Sequence, residues 1–202
     1  MNYDLLTALV AFAFVASITP GPNNLMLMTS GVNFGFRRTM PHMLGVVIGF
    51  AFMQVLVGAG LMEIFTAFPV TYLMLKSVSI AYFLFLAWKI ATAYPLNEDA
   101  GYETGGRPLS FVQGALFQWV NPKAWAMSLT AISAYTPPTH PLHSVFLVAL
   151  VFALVNLPSQ STWIVIGTHL RRLLTEPLKL RIFNFTAAAL LIASLYPILF
   201  GH

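Results

Sequence analysis

A chain of 202 residues that is 58% hydrophobic and only 8% charged cannot cover a water-facing surface, because soluble domains carry about 25% charged residues. Its formal net charge of +4 is scattered singly or in pairs between apolar runs, not gathered in the stripe that nucleic acid requires. Cysteine is absent, which excludes disulfides, thiolate metal sites and a cysteine nucleophile.

The mean hydropathy of +0.78 makes the bilayer the main solvent. A hydrocarbon core of about 30 Å needs roughly 20 apolar residues per helix, and the sequence supplies that length six times. A transmembrane barrel would instead show alternating segments of about 10 residues. The start, Met1-Asn2-Tyr3-Asp4, lacks the basic region of a cleaved signal, and the apolar run behind it is long enough to span.

The first predicted span, Leu5–Thr29, is interrupted about two-thirds of the way along by Thr19-Pro20-Gly21-Pro22-Asn23-Asn24. Pro20 and Pro22 lack backbone donors and clash with the preceding turn, while Gly21 permits unusual dihedrals. An opened helix here exposes carbonyls before the break and amides after it. Those amides create a positive potential suited to a carboxylate, and Asn23 and Asn24 add donors and acceptors. A kink that serves packing alone is the competing reading; Pro-Gly-Pro followed by two Asn favours the open helix.

The second span, Met43–Phe65, carries Gln54 and a Gly45-Val-Val-Ile-Gly49 pattern with Gly58 and Gly60, expected to pack closely within the monomer. The third is Tyr72–Tyr94. The polar, Gly-rich stretch 95–108 then links two three-helix halves, about 1–94 and about 109–202, of a single transmembrane domain. Three is odd, so the second half runs through the membrane upside down, which predicts inverted repeats.

The fourth span, Leu109–Ala134, is interrupted at Asn121-Pro122-Lys123, with Gln118 one turn earlier. Lys123 is the one charged residue near the centre of any span, where a charge costs on the order of 3 kcal/mol. No Asp or Glu shares its depth. It can bond to broken-helix carbonyls, lose its proton or meet an anionic ligand; contact with a substrate carboxylate or proton coupling is the sharper expectation. The fifth span, Ser144–Gly167, carries a third polar interruption at Asn156, Pro158, Gln160, Ser161 and Thr162, near Trp163. The sixth is Ile182–Leu199.

Interrupted spans are tolerated only where protein or a watery cavity satisfies the freed backbone groups. Two of them, in corresponding spans of two halves, point to a solute site. The candidate lining is Thr19, Pro20, Gly21, Pro22, Asn23, Asn24, Gln118, Asn121, Pro122, Lys123 and Asn156, although interhelical bonds explain the isolated amides Gln118 and Asn156 equally well. His42, His140, His143, His169 and His202 fall at span ends, in loops or at the terminus. No metal site, cofactor or catalytic pair is expected. The loops after spans 1, 3 and 5 hold Arg37, Arg38, Lys89, Arg107, Arg171, Arg172, Lys179 and Arg181, against Lys76 on the other side. The positive-inside rule puts the basic loops in the cytoplasm and both termini in the periplasm.

At Ile18-Thr19-Pro20-Gly21-Pro22-Asn23-Asn24, Gly35-Phe36-Arg37-Arg38, Gly45, Ala87-Trp88-Lys89-Ile90-Ala91, Leu109-Ser110-Phe111 and Asn121-Pro122-Lys123-Ala124 the chain resembles the lysine exporter (LysE/RhtB) family of amino-acid efflux proteins. The likeness covers essentially the whole chain in length, order and spacing. It implies a bacterial inner-membrane exporter of amino acids or close derivatives, driven by the proton gradient, with both Pro-containing motifs lining the substrate path. Size and the first motif look similar to the cysteine and O-acetylserine exporter branch; homoserine, threonine and leucine export stay open. The expected architecture is an all-α integral membrane protein of six helices, spans 1 and 4 broken, working as a secondary transporter by alternating access. Its expected partners are a small amino-acid substrate and the bilayer, with no nucleic acid and the oligomeric state open. A channel or assembly subunit without carrier activity is the rival reading.

Overall fold

The computed structural model describes residues 3–93, 106–137, 141–196 and Leu199. Most of the expected linker lies outside them, as do His140 and His202. The helices are α1 (Tyr3–Ile18), α2 (Pro22–Phe34), α3 (Phe36–Gly58), α4 (Leu61–Ala67), α5 (Pro69–Ala91), α6 (Phe111–Val120), α7 (Pro122–Tyr135), α8 (Pro141–Arg171) and α9 (Pro177–Ala193). No strand occurs among the described residues.

By length and composition, α3, α8 and the segment Leu73–Ala91 of α5 each suffice to cross a membrane, and α1 with α2 forms a fourth candidate bent by 54°. Individually, α6 (10 residues), α7 (14) and α9 (17) fall short of the roughly 20 residues a crossing needs. Three or four spans are therefore fixed by these criteria. Both expected breaks are present. The first leaves 16 residues in α1 and 13 in α2, so it falls near the middle of the pair rather than two-thirds along. The shift arises because α2 continues through Ser30 and Asn33, polar but buried, and stops only where Gly35 turns at φ 78°.

Two further boundaries differ from the sequence reading. The second span begins at Phe36 rather than Met43 and ends at Gly58, just before Gly60 turns at φ 102°. The polar stretch of the fifth span leaves its helix intact, with breaks expected only in spans 1 and 4: α8 runs unbroken through Pro158. One proline removes one intrahelical bond. The hydroxyls of Ser159, Ser161 and Thr162 bond back to the carbonyls of Val155, Leu157 and Pro158, so the local polar groups are absorbed within the helix.

Polar side chains sit inside beside an apolar core, and many large apolar side chains face outward. Asn24, Asn33, Thr39, Gln118, Asn121 and Asn184 are buried, while Phe14, Ile48, Phe52, Leu73, Leu150 and Leu154 stand exposed. That arrangement suits a hydrocarbon solvent, in which buried polar groups find partners only within the protein.

Glycine sets the closest approaches. A Cβ on Gly45 would lie 2.0 Å from the Phe111 carbonyl oxygen, and one on Gly49 would lie 2.5 Å from the Ala115 Cα. Both positions rise by four together, so α3 and α6 run parallel with their backbones in contact. On the other flank Gly31 packs against Ile164 and Gly167 against Met28, seating α2 on α8. Gly58 against Val145 and Met43 against Ser161 make α8 antiparallel to α3. The start of α3, the approach to α6 and the end of α8 therefore share one end of the molecule, and with them Arg37, Arg107 and Arg171.

Candidate functional site

The two breaks meet. A small, partly open cavity lies between them, lined on the polar side by Ser17, Asn24, Asn121, Lys123, Asn156 and Gln160, with Gly21 and Asn23 at the first break and Val46 and Phe50 of α3 opposite. Lys123 is the one ionisable side chain among the lining residues.

Breaking α1 frees the carbonyls of its last turn, and each one finds a donor. The Val15 carbonyl accepts from the Thr19 backbone amide at 3.2 Å and from its hydroxyl, which also reaches the Ala16 carbonyl at 3.4 Å. Asn24 Nδ2 donates to the Ser17 and Thr19 carbonyls, both at 2.8 Å. Trp163 Nε1 donates to the Ile18 carbonyl at 3.2 Å. Lys123 Nζ spans the chain to the Thr19 carbonyl at 2.7 Å and the Pro20 carbonyl at 3.3 Å. The cation thus caps the negative end of α1, where the helix dipole favours positive charge.

The amide side differs. Gly21 is the N-cap of α2 in extended backbone (φ −176°, ψ 177°) and supplies no side-chain cap. Pro22 has no N–H, so the first amides of α2 belong to Asn23 and Asn24 and meet no capping side chain. The second break is closed instead: Asn121 Oδ1 accepts from the Lys123 amide at 3.1 Å, capping α7. One break thus offers uncapped amides, the other a cation.

The remaining expected residues separate into two groups. Gln118 lies outside the cavity lining. Its Oε1 accepts from Asn23 Nδ2 at 2.8 Å, while its Nε2 donates to Asn23 Oδ1 at 3.1 Å and to the Gly114 carbonyl at 2.9 Å. Both donors of Gln118 are committed, so the pair ties α2 to α6 and positions the break. Thr19 and Pro20 act through their carbonyls, and Pro22 and Pro122 through the donor each withholds at its helix start. Asn24 spends both amide protons on α1, leaving Oδ1. Asn156, from α8, joins the cavity wall.

Sequence reasoning did not single out Ser17, and it left Gln160 open between cavity lining and an interhelical bond; Gln160 lines the cavity. Ser17 Oγ and Gln160 Oε1 are buried in the cavity wall without a hydrogen-bond partner. A lone Ser in an apolar run gives no signal; only the fold reveals its orphaned oxygen. His42 also differs from expectation. It is fully buried within α3 and neither ring nitrogen has a partner, because helix α3 starts earlier than the apolar run suggests.

Helices with apolar exteriors enclose a polar chamber at the junction of two breaks, the build of a membrane translocator. Residues 14–194 match the family described as LysE type translocator. The chain is 31% identical over 177 residues to the cysteine/O-acetylserine efflux protein of Escherichia coli O1:K1, covering 87% of this chain and 89% of that protein. Proteins of the same description from Escherichia coli strain K12 and Shigella sonnei are 30% identical over the same length. No solved structure matches this chain. The chain belongs to the LysE type translocator family. It is a multi-pass membrane transporter and not an enzyme.

Proposed function

We propose that this protein exports cysteine, O-acetylserine or a close derivative from the cytoplasm across the bacterial inner membrane by alternating access. The observation that carries the reading is the two-signed chamber. Lys123 Nζ and the uncapped amides of Asn23 and Asn24 offer donors to a carboxylate. The orphaned Gln160 Oε1 and Ser17 Oγ, with Asn24 Oδ1 and Asn156, offer acceptors to an ammonium group. No carboxylate lines the chamber among the described residues, which suits an amino acid whose side chain is neutral. The names of the relatives support the same solute class.

The working architecture is six spans in two inverted repeats, with α1–α2 and α6–α7 as the broken members. The packing pattern supports it: α1 and α2 lie on α8 as α6 and α7 lie on α3, while α3–α8 and α5–α9 pair with each other. Exchanging the first half for the second keeps these pairings, although α5 against α6 and α2 against α9 have no equal counterparts. The basic end faces the cytoplasm, so both termini are periplasmic; a reporter at His202 active only in the cytoplasm would overturn this. Export draws on the proton gradient, with Lys123 as the chamber's candidate proton carrier.

Counterflow tests the function. Proteoliposomes preloaded with O-acetylserine should accumulate the labelled solute, and Lys123→Met should abolish exchange while the variant still inserts in the membrane. A wild-type protein that leaks but never exchanges would favour the channel reading, and one that does neither would favour an assembly subunit.

A further inference from the structure

A second small, partly open cavity lies at the basic end of the molecule, and like the first it is lined in part by residues of α2. Its polar lining is Thr29, Ser30 and Asn33 of α2, Lys89 at the end of α5, and Arg107. The α2 groups are already committed within the protein. Thr29 Oγ1 bonds the Leu25 carbonyl at 2.8 Å, Ser30 Oγ pairs with Thr39 Oγ1 at 2.8 Å, and Asn33 pairs with Asn184 at 2.8 Å. Lys89 Nζ holds one neutral partner, Gln113 Oε1, at 3.1 Å. The one ion pair among the described residues is Lys179–Glu176, elsewhere. The cavity therefore presents rigid, satisfied walls and two cations paired with no described carboxylate.

We propose that this cavity is an intake vestibule in which Lys89 and Arg107 receive the carboxylate of the outgoing amino acid. The inference rests on the transport function proposed above and adds a second binding site to it. Its connection to the chamber is α2 itself. Asn23, Met26, Ser30 and Asn33 follow one another at helical spacing on one face. Asn23 lines the chamber; Met26, Ser30 and Asn33 line the vestibule. From Asn33 to Asn23 is ten residues, about 15 Å of helix. Met26, 1% exposed, lines the second cavity and lies on α2 one turn from Asn23 of the first, and its unbranched thioether can change rotamer without breaking a hydrogen bond. A carboxylate would pass from the fixed cations at the vestibule to the uncapped amides of α2 and to Lys123. Cations at the mouth of a low-dielectric cleft also raise the local concentration of anionic groups.

The test uses the full-length protein in inside-out and right-side-out membrane vesicles with labelled O-acetylserine. Arg107 is exposed, so Arg107→Gln leaves packing alone; Lys89→Gln is the partner variant. Each should raise KM about tenfold when solute is offered at the basic face, the scale of one lost charge-assisted hydrogen bond, with the maximal rate within about twofold. KM from the opposite face should not move, and Arg107→Lys and Lys89→Arg should recover most of the loss. Unchanged KM at the basic face, or an equal rise at both faces, would overturn the proposal. So would an effect that vanishes in proteoliposomes of phosphatidylcholine alone, which lack net negative lipid, because the cations would then be holding anionic headgroups. Wild-type protein that transports nothing would remove the transport reading itself, and the vestibule with it; wild-type transport with insensitive variants sinks the vestibule only.

Discussion

Replacing Gly21 with Ala isolates the contact on which the chamber's charge depends. The extended backbone at Gly21 (φ −176°, ψ 177°) accepts any residue, so the methyl group acts only through what it touches. It would lie 2.7 Å from Lys123 Cδ and 3.1 Å from Nζ, against an optimum of about 3.5–4.0 Å between carbons. The lysine must withdraw by roughly 1 Å, which takes Nζ beyond hydrogen-bond reach of the Thr19 carbonyl, now at 2.7 Å. A hydrogen bond from a charged group contributes about 1.5–3 kcal/mol, and the stiffer unfolded chain returns about 0.4–1 kcal/mol. The expected net destabilisation is roughly 0.5–2.6 kcal/mol, with kcat/KM for O-acetylserine down about 10–100-fold if the cation's seat matters to transport. Initial uptake rates and thermal unfolding in detergent measure both. In a Lys123→Ala background the added methyl meets none of these lysine atoms and should cost nothing, so the double-mutant cycle reads the coupling directly. Gly21→Ala with wild-type rates, or with the same penalty in both backgrounds, refutes the assignment.

Two stability predictions follow from the packing. Gly45→Ala drives a Cβ to 2.0 Å from the Phe111 backbone oxygen, so α3 and α6 must part; a loss of about 1–3 kcal/mol is expected, read as a lower unfolding temperature, and an unchanged temperature would show that the two backbones are not in contact. Asn23→Leu strands the buried Gln118 amide and should cost about 1–3 kcal/mol. The Asn23→Leu/Gln118→Leu double variant should be more stable than the sum of the singles implies; strict additivity in thermal unfolding would show that the pair is not coupled.

Local chemistry was readable from the chain wherever it acts over a few residues. Pro20, Pro22 and Pro122 cannot donate, so the breaks follow from covalent structure, and Gly45 and Gly49 advertise a smooth face four residues apart. Length and hydropathy likewise mark α3, α5 and α8 as membrane helices. What was not readable depends on partners remote in sequence. The reading in which Lys123 bonds to broken-helix carbonyls is the one present, at Thr19 and Pro20, whereas nothing near Trp163 says that its indole reaches Ile18. Pro158 leaves α8 unbroken, in keeping with breaks expected only in spans 1 and 4, and the hydroxyls beside it bond to carbonyls of their own helix. His42 was misplaced because a boundary set by hydropathy stops at Arg37 and Arg38, whereas the helix tolerates both at its first turn.

The break in α1 has a consequence for the unloaded protein. Every oxygen uncovered from Val15 to Pro20 is quenched by a donor the chain itself provides, so the joint does not depend on cargo to stay unwound. An empty carrier can keep its shape on the return journey, and the helix has no incentive to straighten and seal the passage once the solute has left.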